Sequence, residues 1–347
     1  MPSPALSSAR PIAIWLFFIC ALVALMVMVG GATRLTDSGL SIVEWRPVTG
    51  AVPPLSEADW LAEFEKYKTI PEYEQVNWGM SLADFKEIYW WEWGHRFLGR
   101  LIGIAFLIPF LWFAATKRIN RALGAKLAGI LLLGGAQGAL GWWMVSSGLS
   151  GRVDVSQYRL AAHLALAVLL FAMMFWLALD LVSRRKEMRS NLAPFAMALA
   201  LGVFLQMILG AFVAGLRAGR TFNTWPLMDG AFFPSGYFAD APRWRDLFET
   251  AAAVQFNHRL GAYILAAATL WLYLAARRTR LKRRAQILLA AVVMQIALGV
   301  WTVLAATPIA LGLAHQAGAI LVLAAALFLA HGCSNSISMT RSSVAAA

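Results

Sequence analysis

The sequence is short of charge, of acids in particular, and of cysteine. Charged residues make up 14% of the 347 positions, where a soluble domain carries about a quarter. That is too little to clothe a water-facing surface of this size. Acids number 18 against 30 Lys and Arg. The two cysteines, Cys20 in the first apolar run and Cys333 near the C-terminus, exclude a disulfide framework, and no CxxC or zinc-type spacing is present. There are five histidines.

What fills the space is apolar. Hydrophobic residues reach 60% and the mean hydropathy is +0.64. About 20 apolar residues span a bilayer, and eight runs of that kind can be read: Ile12–Ala32, Arg96–Thr116, Leu123–Val145, Leu160–Val182, Leu192–Gly215, Ala251–Ala276, Ala285–Ala306 and Ala310–Ala330. The net charge of +12 forms no stripe of the sort that reads nucleic acid. It sits in short links: Lys117, Arg118, Arg121 and Lys126; Arg184, Arg185, Lys186 and Arg189; and the basic run Arg277–Arg284. The link Thr33–Trp91 is instead acidic in its middle, with Glu57, Asp59, Glu63, Glu65, Glu72 and Glu74. Positive charge stays on the cytoplasmic side, so both termini are expected inside and the long links Thr33–Trp91 and Leu216–Thr250 outside. Only about ten residues precede the first run, too few for an amphipathic presequence. A bacterial inner membrane is therefore expected.

An internal repeat organises the chain. Gly30 aligns with Gly210, Gly39 with Gly219, Trp45 with Trp225 and Gly50 with Gly230. With slightly different offsets, His95 aligns with His258, Gln137 with Gln295, Gly141 with Gly299, Trp143 with Trp301 and His163 with His315. The first run belongs to this repeat, which argues against a cleaved signal peptide. The expected fold is an all-α integral membrane protein with eight transmembrane helices in two tandem four-helix bundles. Each unit has an even number of spans, so the two share an orientation and are related by a pseudo-two-fold axis along the membrane normal. The units are residues 1–190, with the long outer link 33–91, and residues 191–347.

Four histidines, His95, His163, His258 and His315, fall two per repeat near the starts of even-numbered runs. Alone, each could be polar glue between helices. At matched positions in two repeats they suggest paired axial ligands, which grip a haem between neighbouring helices of a bundle. A zinc site would need a third ligand nearby, which the second repeat lacks. His331, at the end of the last run, has no counterpart and reads as a solvated end residue. Arg96 and Arg259 follow His95 and His258 and are suited either to haem propionates or to snorkelling at the interface. Glu92 stands three residues before His95, on the same helical face. Its counterpart is Gln255. A carboxylate at one haem ligand only suggests a proton acceptor or cation stabiliser, hence an enzyme with one haem for chemistry and one for electrons. The plainer alternative is that Glu92 marks the membrane edge.

The stretch Gly30-Gly31-Ala32-Thr33-Arg34-Leu35-Thr36-Asp37-Ser38-Gly39-Leu40-Ser41, the Glu92-Trp93-Gly94-His95-Arg96 motif, the echo Asn257-His258-Arg259-Leu260-Gly261 and the tandem repeat together resemble the haem A synthase family over nearly the whole chain. The outer-link residues Trp78-Gly79-Met80-Ser81 and Phe85-Lys86-Glu87-Ile88 resemble its mitochondrial and proteobacterial branch. The resemblance implies oxidation of the ring-position-8 methyl group of haem O to a formyl group by successive hydroxylations. It implies substrate haem between His95 and His163 beside Arg96, a haem b cofactor between His258 and His315 beside Arg259, and Glu92 in catalysis. Expected partners are haem O, the lipid bilayer, an electron acceptor of the quinone or redox-protein class, the haem O synthase, and further copies of the chain. The cysteine pair that some members carry in an outer loop is absent from both long links. The rival readings are a di-haem b quinol-type electron-transfer cytochrome, with ordinary haem b at both sites, and a membrane carrier built on the repeat.

Overall fold

The computed structural model describes residues 4–183, 190–238 and 243–334. The basic link at 184–189 lies outside them. Eleven α-helices are described: α1 Pro4–Leu35, α2 Glu57–Tyr67, α3 Pro71–Gln75, α4 Leu82–Ala115, α5 Arg121–Val145, α6 Gln157–Val182, α7 Ala193–Gly215, α8 Arg243–Glu249, α9 Ala251–Ala276, α10 Lys282–Leu304 and α11 Ile309–Cys333. Eight of these are long and apolar enough to cross a membrane, and no strand forms among the described residues. The chain is an all-helical membrane protein.

Helices α1, α4, α5 and α6 pack as one group, and α7, α9, α10 and α11 as another. The groups meet through α1 on α11, α6 on α7 and α6 on α11. The four helices at this junction are the buried ones, with 39–50% of their apolar windows covered, against 11–17% for α4, α5, α9 and α10. The outer four therefore turn large side chains outward, among them Ile104, Ile108 and Trp112 of α4 and Ile264 and Trp271 of α9. Exposed apolar faces of this extent suit lipid. One apolar core, including Leu16, Leu127, Leu272, Leu288 and Leu323, joins both groups.

A charge cluster closes one end of the junction. Arg34 reaches Asp154 at 2.7 Å, and Arg217 reaches Asp37 at 2.7 Å and Asp154 at 3.2 Å. Asp37 and Arg217 both adopt left-handed backbone, φ 52° and 51°, at turns that immediately follow α1 and α7.

The acidic outer link is a folded layer rather than a loop. Capping boxes start two helices: Ser56 and Asp59 cap α2, and Ser81 and Asp84 cap α4. Trp60, Phe64 and Tyr67 fall on one face of α2 and pack with Tyr73, Phe85, Tyr89 and Val155. The early cap makes α4 34 residues long, about 51 Å at 1.5 Å per residue. Its first turns stand beyond the roughly 30 Å apolar slab and form the wall of the outer layer. Glu92 and His95 thus lie well inside a continuous helix. A membrane helix beginning near Arg96 is corrected to one beginning at Leu82, because the Ser81 cap and the buried Phe85 extend it.

His331 is also corrected. It is buried, its Nε2 lies 3.0 Å from Asp180 Oδ1, and its ring meets Trp176 edge-on. The carboxylate on α6 gives the imidazole a partner, so the last turn of α11 packs inward rather than facing water. Both cysteines are buried thiols.

Glu72 of α3 is buried in the outer layer, where the Tyr67 hydroxyl donates to it at 3.0 Å. Burial pushes its carboxyl from 4.5 to about 8. A raised carboxyl holds its proton in the folded layer after the unfolded chain has lost it. The layer's stability is therefore fully present below about pH 4.5 and falls as pH rises through about 8. Glu72→Gln keeps the acceptor for Tyr67 and cannot ionise. Hydrogen-exchange protection of α2 and α3 is expected to drop between pH 6 and 9 in the parent and to stay level in the variant.

Candidate functional site

The four histidines are placed by a common device. Each ring lies against a glycine on the neighbouring helix, where an added side chain would crowd it or collide with it. A β-carbon on Gly30 of α1 would stand 3.0 Å from His95 Nε2. On Gly141 of α5 it would stand 2.9 Å from His163 Cε1, on Gly210 of α7 3.2 Å from His258 Cε1, and on Gly299 of α10 2.9 Å from His315 Cε1. Missing side chains let backbones approach in a membrane, and here an imidazole fills the opening.

Three of the rings are also held by an amide one turn before that glycine. Gln137 Nε2 donates to the His163 carbonyl at 3.0 Å and lies 3.2 Å from its Nδ1. Gln206 does the same for His258, at 2.7 and 3.1 Å, and Gln295 for His315, at 2.8 and 3.1 Å. In the sequence, Gln137 and Gln295 align only as repeat markers, and Gln206 draws no notice. The signal was the shared spacing, a glutamine four residues before Gly141, Gly210 and Gly299.

The second pair stands face to edge. The His258 and His315 rings are 6.3 Å apart between centres, at 77°. That gap accommodates two metal–imidazole bonds of about 2 Å each together with the two ring radii. Among the described residues no third His, Cys, Asp or Glu joins either pair. Two imidazoles facing each other in a bundle, with no further donor, fit an axially ligated haem. His95 and His163 make no such ring contact among the described residues.

The two sites lie close together. Gly30 backs His95, and the adjacent Gly31 is covered by Gln316, the neighbour of His315. Consecutive residues of α1 thus touch His95 and the neighbour of His315.

Glu92 is buried and fully engaged. Arg96 donates to Oε1 from Nε at 3.1 Å and Nη2 at 2.6 Å. The Ser41 hydroxyl and the Ile42 amide both donate to Oε2 at 2.8 Å. Arg96 also donates to the carbonyls of Ile42 at 2.7 Å and Glu44 at 2.9 Å. The pair therefore clamps the strip after α1 onto α4. In the second group, Gln255 Nε2 and Arg259 Nη2 both donate to the Phe222 carbonyl, at 3.0 and 3.1 Å. Here the strip offers a carbonyl, and the amide answers it. Neither arginine projects freely, because each is held on backbone oxygens. Ser41, Ile42 and Phe222 were not legible as site residues, since their roles depend on backbone brought in from distant positions. Gln255→Glu would set a carboxylate against the Phe222 carbonyl, two acceptors in a buried place. It is expected to cost about 1–3 kcal/mol, read as earlier thermal unfolding of the purified protein in detergent.

Comparisons with known proteins identify the family. Residues 13–327 match the COX15-CtaA family, described as cytochrome oxidase assembly protein. The chain is 55% identical to a haem A synthase of Parvibaculum lavamentivorans, over 92% of this chain and 93% of the relative. It is 51% identical to that of Nitrosospira multiformis, over 93% of each, and 52% identical to that of Caulobacter vibrioides, over 92% and 94%. With its histidine pairs on four helices and this likeness along almost its whole length, the chain belongs to the haem A synthase family.

Proposed function

We propose that this chain oxidises the methyl group at ring position 8 of haem O to a formyl group, by successive hydroxylations, and so yields haem A for terminal oxidases. Haem O is the substrate, held in residues 1–190 between His95 and His163. A haem b cofactor belongs in residues 191–347, between His258 and His315. The observation that carries the reading is one of arrangement: Gly30 and Gly31 of α1 meet His95 and the neighbour of His315, and among the described residues a buried carboxylate, Glu92, stands one turn from His95 where Gln255 holds the matching place near His258.

Haem b, when bound, supplies one-electron redox chemistry. The protein's own part is to hold and to polarise. His163, His258 and His315 are oriented by their glutamines. Glu92 is fixed by Ser41, Ile42 and Arg96, which makes it a preorganised negative charge where positive charge develops on the substrate. It is also an acceptor for the proton the methyl group gives up. Arg96 and Arg259 place positive charge next to a ligand of each site, where it offsets haem carboxylates. The two four-helix groups are related by an axis along the membrane normal. The chain sits in a bacterial inner membrane with both termini cytoplasmic and the haem sites toward the outer face. Its electron acceptor is of the quinone or redox-protein class. Contact with the haem O synthase and self-association complete the reading.

One observation favours a di-haem electron carrier instead. Gln255 holds its strip much as Glu92 does, so the carboxylate could be only a clamp. Chromatography of haems extracted from the purified protein separates the two readings. Haem b together with haem O, haem A or a hydroxylated intermediate is expected in the parent. Glu92→Gln is expected to raise haem O or intermediate at the expense of haem A. Two haem b per chain, unchanged in the variant, would overturn the synthase reading.

A further inference from the structure

Three of the four histidines are locked by an amide, and one is not. The residue one turn before Gly30, where the other three helices carry glutamine, is Met26. The structure puts the two side-chain types in the same place. Gln206 lies against Gly261, just beyond His258, and Met26 lies against Gly99, just beyond His95. A thioether has no N–H to hold a histidine carbonyl and only a weakly accepting sulfur to offer a ring N–H, and among the described residues no amide, hydroxyl or carboxylate bonds the His95 ring. The ring is also turned differently. His163, His258 and His315 present their Cε1 and Nδ1 edge to the glycine, with Nδ1 on the glutamine. His95 presents Nε2 and Cδ2 to Gly30.

We infer that His95 is the releasing ligand: the missing amide lets its ring turn, so the haem it holds comes on and off while the haem between His258 and His315 is retained. Met26, Gln137, Gln206 and Gln295 are positioning residues for this function. The inference rests on haem at both histidine pairs, and it explains how substrate and product exchange at a site whose neighbour must keep its cofactor. A buried hydrogen bond that fixes the ring of a ligating histidine typically changes metal-site affinity by about 10- to 100-fold.

The test is haem transfer from the full-length, haem-loaded protein to excess apomyoglobin, followed by absorbance, with chromatography of the haem transferred. Two phases are expected, the fast one absent in His95→Ala. Met26→Gln is expected to slow the fast phase about tenfold with the slow phase unchanged, and Met26→Leu to change neither. Gln206→Met runs the exchange in reverse and is expected to speed the slow phase by a similar factor, so the inference stays testable if Met26→Gln fails to fold. A fast phase equal in Met26→Gln and Met26→Leu, or one abolished by His258→Ala and not by His95→Ala, would overturn it. Fast release of haem b rather than haem O or haem A from the His95 site would support the inference and sink the substrate reading of that site.

Discussion

The structure depends on close approach between a histidine ring and a helix backbone. At Gly30, Gly141, Gly210 and Gly299 an imidazole occupies the volume a side chain would otherwise take. Inside a bilayer, helices gain little by hiding apolar surface from one another, so packing and polar contacts decide which pairs form. A glycine opposite a histidine serves both needs. It shortens the distance between helices and gives the ring a seat. The glutamines then hold the carbonyl and lie against the ring of three of the four histidines.

A second constraint acts at the outer ends of α4 and α9. The chain leaving α1 must be held over the first site, and the chain leaving α7 over the second. In each case a side chain one turn before the arginine, together with that arginine, grips a backbone group. The first strip presents an amide to Glu92, and the second presents a carbonyl to Gln255. The exchange of Glu for Gln thus follows the polarity of the backbone it meets. The first group is then left with a fixed carboxylate one turn from His95.

Much of this was legible in the chain. Long apolar runs can satisfy their backbone only as helices in a bilayer, so eight spans follow from composition and length. The repeat shows in residues the sites cannot do without, such as His95 with His258 and Gly141 with Gly299. The rest was hidden for physical reasons. A polar residue at a helix end looks solvated until its partner is known, and Asp180 sits far away in sequence from His331. The acidic link looks like loop because its apolar residues are scattered among polar ones and form no long run. They suffice because α4 continues upward and lends Phe85 and Tyr89 as a wall.

By itself, then, the sequence determined the class of the protein, its eight helices, the four histidines and the unequal Glu92 and Gln255. These depend on residue type and local spacing, which the chain carries along its length. Only the tertiary structure decided which glycine backs which histidine, that α1 touches both His95 and the neighbour of His315, that Glu92 answers the Ile42 amide, and that Met26 stands where glutamine stands elsewhere. These are contacts between elements far apart in sequence. They exist only once packing has chosen the neighbours, because a hydrogen bond or a steric seat needs both partners within a few ångströms.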